Sequence, residues 1–268
     1  MSAKPGAVAA ALAALLGCGI LSAQDADPNA RSRAGGTLED VGGVAEGVDT
    51  TTPRLANGRP DFSGLWLGSG PIRDISLGLL PGEEIVLLPE ARALMESRMS
   101  REDPEANCLP TGVPRIAPYP WRFVRSPLEG EATHLYMLFE GNIHSYRQVF
   151  VDGREHGEDL NPTWYGHSIG HWEGDTLVID TIGFNDRFWF DFAGHPHTEQ
   201  LHTIERYTRP DLDTMEIETT INDPGAYAKP FTVKFSASLR PDWELMEYIC
   251  NENNQDVEHL IGPPIGAP

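Results

Sequence analysis

Phe231-Thr232-Val233-Lys234-Phe235-Ser236-Ala237-Ser238-Leu239 alternates apolar and polar residues with little interruption. Successive side chains of an extended chain point to opposite faces, so this stretch has one dry face and one wet face. Met215, Ile217 and Thr219, with Glu216 and Glu218 between them, repeat the pattern. A sheet with one buried and one solvated face is the mark of antiparallel strands. Working outward, the same reading predicts strands over 121–126, 133–140, 144–151, 165–172, 175–182, 199–208 and 245–250. Turn chemistry separates several of them: Glu140-Gly141-Asn142, Asp152-Gly153, Glu173-Gly174-Asp175 and Asn222-Asp223-Pro224-Gly225. About nine strands joined mostly by short turns predict a mainly β, closed or nearly closed antiparallel barrel. A β-sandwich is the alternative. One short N-terminal helix is expected over Pro89 to Met99, where proline opens a run of Ala, Leu, Met and Arg.

The chain has 268 residues, with 20 Lys plus Arg against 40 Asp plus Glu, a formal charge of −20. Such acidity without a basic stripe excludes a nucleic-acid partner and disfavours anionic lipid. Residues 1–23 read as a signal peptide: Lys4 is the short positive region and Ala7 to Leu16 the apolar one, too short to span a bilayer. Cleavage after Ala23 is one outcome. The other is a lipobox at Leu15-Leu16-Gly17-Cys18, with Cys18 carrying a lipid as the sole membrane attachment. Either way the protein is expected in the periplasm or outside the cell. Residues 24–58 are poor in large apolar groups and read as a flexible linker, and 59–268 as a single β-barrel domain. Outside the leader only Cys108 and Cys250 remain. In an oxidising compartment they can pair, or stay as two separate buried thiols.

Gly64-Leu65-Trp66 at the start of the domain resembles the lipocalin fingerprint, in which glycine permits a tight turn and tryptophan plugs the barrel end. That resemblance implies a lipocalin-like (calycin) barrel. Pro162-Thr163-Trp164-Tyr165-Gly166-His167-Ser168-Ile169-Gly170-His171-Trp172-Glu173-Gly174-Asp175-Thr176-Leu177 is similar to a signature of a large group of secreted bacterial proteins of unknown function. The likeness continues through Asp152-Gly153-Arg154, Gly183-Phe184-Asn185-Asp186, Pro196-His197-Thr198 and Glu205-Arg206. Gly157 departs from it, standing where proline is expected. The resemblance implies export and a bacterial source, and it assigns no catalytic residues.

Seven of the nine histidines fall between 144 and 202. Imidazole titrates near neutrality, so a pocket lined by His suits acid–base chemistry in a lyase, isomerase or hydrolase acting on a small aromatic or apolar substrate. The catalytic candidates are His167, His202, Glu205, His171 and Arg147. Asp180, Asp191 or Glu205 can orient a histidine, and Arg147 or Arg206 can hold a carboxylate or oxyanion. His167 and His171 share a strand face, whereas His202 and Glu205 fall on opposite faces. A second reading gives His195-Pro196-His197 a divalent metal (zinc, iron or copper), completed by a third His or a carboxylate. A third is non-catalytic binding of a small molecule, with Trp164, Tyr146, Phe184 and Trp189 as contacts. Gly166-His167-Ser168-Ile169-Gly170 imitates a nucleophile elbow but lacks the strand–turn–helix context.

Overall fold

The computed structural model describes residues 50–69, 72–116, 118–141, 145–252 and 254–264. The leader, Cys18, most of the linker and His144 lie outside the described residues. Among the described residues the nine strands are β1 (Trp66–Gly68), β2 (Trp121–Ser126), β3 (His134–Phe139), β4 (Ser145–Phe150), β5 (His167–Glu173), β6 (Thr176–Ile182), β7 (His202–Thr208), β8 (Thr214–Asn222) and β9 (Phe231–Leu239), with helix α1 at Pro89–Ser97. They close into one barrel in chain order, β9 pairing back onto β1. Closure decides against the sandwich. All pairs are antiparallel except β4–β5, which meet in parallel through Val149↔Ser168 and Phe150↔Ile169. A parallel neighbour requires a crossover, and residues 151–166 supply it.

The strand expected over 245–250 does not form. Its neighbours already have their ladders, because β1 takes the free edge of β9, and a closed barrel leaves no edge to join. The linker also ends earlier than its composition suggests. Thr52 Oγ1 donates to the Arg209 carbonyl at 2.8 Å, and Arg54 holds Asp175 with two bonds of 2.8 and 2.6 Å. Residues 50–58 therefore lie along the barrel.

The Gly-x-Trp reading has a physical basis. Gly64 sits at φ +121°, and a Cβ there would be 2.5 Å from Leu239 Cδ1. This close approach brings Trp66 into the barrel, fully buried. Its indole Nε1 donates to the Phe62 carbonyl at 3.0 Å, and the Arg209 guanidinium lies 4.9 Å over its ring.

Inward side chains fall into three layers. Trp66, Trp121, Phe123, Met137, Leu177, Tyr207 and Ile217 fill one end. Phe184, Phe188, Phe190, Ile221, Phe231 and Val233 fill the other, packed against Ile75 and Tyr227. Between them the inward positions are polar: Arg147, Ser168, Thr181, Thr203, Glu205 and Thr219, each at most 2% exposed. The second end is covered by the segment before α1. Leu79 bridges to Val233 and Leu87 to Tyr227, and α1 buries Ala91 and Met95.

Candidate functional site

The predicted site residues separate into three groups. The first lies inside the barrel. Arg147 Nε donates to Ser168 Oγ at 2.9 Å and Nη2 to Thr181 Oγ1 at 2.6 Å. The same Nη2 contacts Glu205 Oε2 as an ion pair, and the Tyr207 hydroxyl donates to Glu205 Oε1 at 2.9 Å. Burial works against the Arg147 cation, but Glu205 outweighs it and raises the pKa. Burial, aided by Glu205, pushes the Tyr207 hydroxyl well above its ordinary value. Arg147, Ser168, Thr181, Glu205 and Tyr207 thus bond to one another inside the barrel, so this pair holds the barrel rather than a substrate. Ser168 belongs to the same network, which agrees with its rejection as a nucleophile.

The second group lies on the outside. His167 and His171 do share a face, but it is the outer one, with Ser168 and Gly170 pointing in. His202 also faces outward, opposite in parity to Glu205. The crossover brings His156 onto this surface. His156 Nε2 and His202 Nε2 each donate to Asp180 Oδ1, at 3.0 and 2.9 Å. His156 Nδ1 and His167 Nδ1 lie 2.8 Å apart, a hydrogen bond whose direction the tautomers set. Partial burial lowers the His167 pKa, and the nearby His156 and Arg154 add to this. His171 is exposed beside Glu173 at 3.2 Å. The expected interior histidine pocket is thus an outer-face cluster, separated from Arg147 and Glu205 by the sheet itself.

The third group sits in the loop between β6 and β7. Asp191 is fully buried. Its Oδ2 accepts from Ile75 N at 2.7 Å and from His195 Nδ1 at 2.6 Å, and its Oδ1 accepts from His195 N at 3.0 Å. An ionised carboxylate only accepts, so Nδ1 carries the proton and Nε2 of a neutral His195 keeps its lone pair. His195, 7% exposed, borders a cavity of about 360 Å³. Leu79, Ile85, Leu87 and Met95 give that cavity apolar walls, and Asp74, Glu83, Glu84 and Glu96 give it an acidic rim. Arg92 is on the rim too, and Lys229 pairs with Glu84 at 2.8 Å.

Asp74, Asp191 and His195 also offer ligand atoms within 4.8 Å of one another, the arrangement among the described residues that best suits a cation. His197 is not in that group. It is buried against Phe188, with ring centroids 3.8 Å apart, and burial pulls its pKa down to about 4. The His-x-His pair therefore splits: one imidazole borders the cavity and the other packs in the core. Proline between them does not enforce alternation on a common ligand.

The four predicted contact aromatics do not converge. Phe184 is fully buried in the second apolar cluster, and Trp164 packs at its edge. Tyr146 is exposed on the outer face. Trp189, 4% exposed, borders a different cavity and carries the Arg98 guanidinium 4.6 Å over its ring.

In the sequence Asp191 is among the possible orienters and His195 among the candidates, but no local pattern marks Asp74 or the walls as their neighbours. Asp74-Ile75-Ser76 did hold a signal: Asp74 caps the short turn Ile75–Gly78 by accepting from Ser76 N at 2.8 Å. Such a cap marks a turn, and nothing in it indicates which loop packs alongside. Comparison with protein-family models, curated proteins and solved structures finds no match for this chain.

Proposed function

We propose that this is an exported acid–base enzyme in which Asp191 and His195 form the working pair. The observation that carries the reading is a fully buried carboxylate fixing Nδ1–H of an imidazole at the edge of a cavity. In this role Nε2 removes a proton from a bound molecule, or from water beside it. Asp191 stabilises the imidazolium that forms, and the proton is then returned to product. Proton removal and return suit an isomerase or lyase, and activation of water suits a hydrolase. Apolar walls and an acidic rim favour a small neutral or cationic organic substrate over an anion. The Cys108–Cys250 disulfide accords with an oxidising compartment, which supports export.

Imidazole NMR of the folded protein tests the assignment. His195 is expected as the Nδ1–H tautomer, and Asp191→Asn is expected to disturb it. Small neutral and cationic aromatics are then screened by the methyl signals of Ile85, Leu87 and Met95, and hits are tested for turnover. His195→Gln should cut turnover by about 10²–10⁴-fold while the protein stays folded. Turnover surviving that substitution would overturn the reading.

A metal centre at Asp74, Asp191 and His195 is the second reading, favoured by their mutual spacing. Asp191 fits it poorly, because both its oxygens already accept hydrogen bonds. A bound ion would have to displace the His195 Nδ1–H bond or use the remaining lone pair of Oδ1. Zinc titration by calorimetry separates the two: stoichiometric binding lost in Asp74→Asn supports the metal.

A further inference from the structure

We propose a second ligand site, for a small aromatic cation, on the other side of the loop that carries His195. A cavity of about 550 Å³ lies there, bordered by Trp189, Phe192, Tyr248, Asp103, Glu105 and Glu252. That volume is in the range of small-molecule sites. One wall is the C-terminal segment, which lies as a strap fastened at both ends. At its start Cys250 is joined to Cys108. Farther on, Ser100 N and Oγ donate to the Gly262 carbonyl, both at 3.1 Å, and Oγ to the Pro263 carbonyl at 2.9 Å. Between these ties, Asn254 Nδ2 donates to the Ala106 carbonyl at 3.0 Å.

The lining chooses the ligand. Arg115 holds Asp103 through two bonds of 2.9 and 2.7 Å and Glu105 Oε2 through one of 2.7 Å, so those carboxylates are largely answered. Glu252 is exposed and has no basic partner among the described residues. Phe192 has Arg115 4.5 Å over its ring and Trp189 has Arg98 4.6 Å over its own, yet both still border the cavity, as does the half-exposed Tyr248 ring. Aromatic surface with a free carboxylate at the mouth recognises a flat apolar body that carries a positive charge. An anion would meet Glu252 and a chain of net charge −20.

Calorimetry at pH 8 with the full chain tests this. The probes are (2-naphthylmethyl)trimethylammonium, neutral 2-naphthylmethanol and anionic 2-naphthoate, with the Trp189 indole signal followed by NMR. The cation is expected to bind at least about tenfold tighter than the anion and to shift the Trp189 signal. E252Q, at an exposed position, should reduce that preference to a few-fold. The double substitution C108S/C250S frees one end of the strap and should weaken the cation further. His195→Gln should leave the affinity unchanged, which keeps this site distinct from the acid–base pair. Equal affinity for cation and anion, an unmoved Trp189 signal, or a preference indifferent to E252Q would each overturn the proposal. So would loss of binding in His195→Gln.

Discussion

Glu205 and Asp191 are both carboxylates withdrawn from water, and each is bonded to a nitrogen base. They differ in what the base can reach. Arg147 is enclosed with Glu205 in the middle layer of the barrel, where it also donates to Ser168 and Thr181. His195 is held by Asp191 through one nitrogen, while its ring borders a cavity. Burial of charge is common to both. Access is not, and access separates a structural ion pair from a chemical one.

Breaking each pair should give opposite signatures. Glu205→Gln leaves the buried Arg147 uncompensated, so a loss of about 3–5 kcal/mol in denaturant unfolding is expected. Replacing both partners by apolar residues, as in R147M/E205L, should recover much of it. A loss below about 1 kcal/mol for Glu205→Gln would show that the pair is better solvated than its burial implies.

His197 gives the next largest effect, and its sign is fixed by the direction of its shift. The unfolded imidazole takes a proton below about pH 6.5, and the folded one only near 4. Its contribution is therefore present above pH 6.5 and lost as the pH falls through that window, about 3 kcal/mol in all. His197→Leu should flatten this part of the stability–pH profile, read from denaturation midpoints at pH 7.5 and 4.5. His195→Gln, beside it in sequence, should cost only about 1–2 kcal/mol, while removing whatever chemistry the cavity performs. Smallest of all is His202→Ala. Its bond to Asp180 is half-exposed, so a change under about 1 kcal/mol is expected. Any loss of ligand binding in His202→Ala would move the functional centre back to the outer face.

The strands were legible because period two survives in most of them, and β2 matches its expected bounds of 121–126. The faces were harder. Parity tells which residues share a side, and hydrophobicity usually tells which side is inside. In β5 that second signal is inverted. The inward residues are Ser168, in the polar layer, and Gly170, which carries no side chain, while outward Ile169 sits between two histidines. Hydrophobicity therefore does not show that the histidines face outward. The loop pair was half legible: Asp191 and His195 are four residues apart and both were candidates. The cavity beside them depends on residues 74–96 folding over the barrel end, a long-range packing that no local pattern records. The disulfide was an open choice, which the 5.5 Å separation of the two Cα atoms settles.

The barrel is not equally zipped around its circumference. β8 and β9 are matched over eight residue pairs, from Thr214↔Ser238 to Ile221↔Phe231, whereas among the described residues β1 and β2 meet at Trp66↔Trp121 alone. That seam relies on stacked indoles, 6.3 Å between centroids, more than on backbone pairing. Amide hydrogens should accordingly exchange with solvent in a gradient around the wall, fastest at β1 and slowest in the β7–β8–β9 ladder. The wall should part first where the two tryptophans meet.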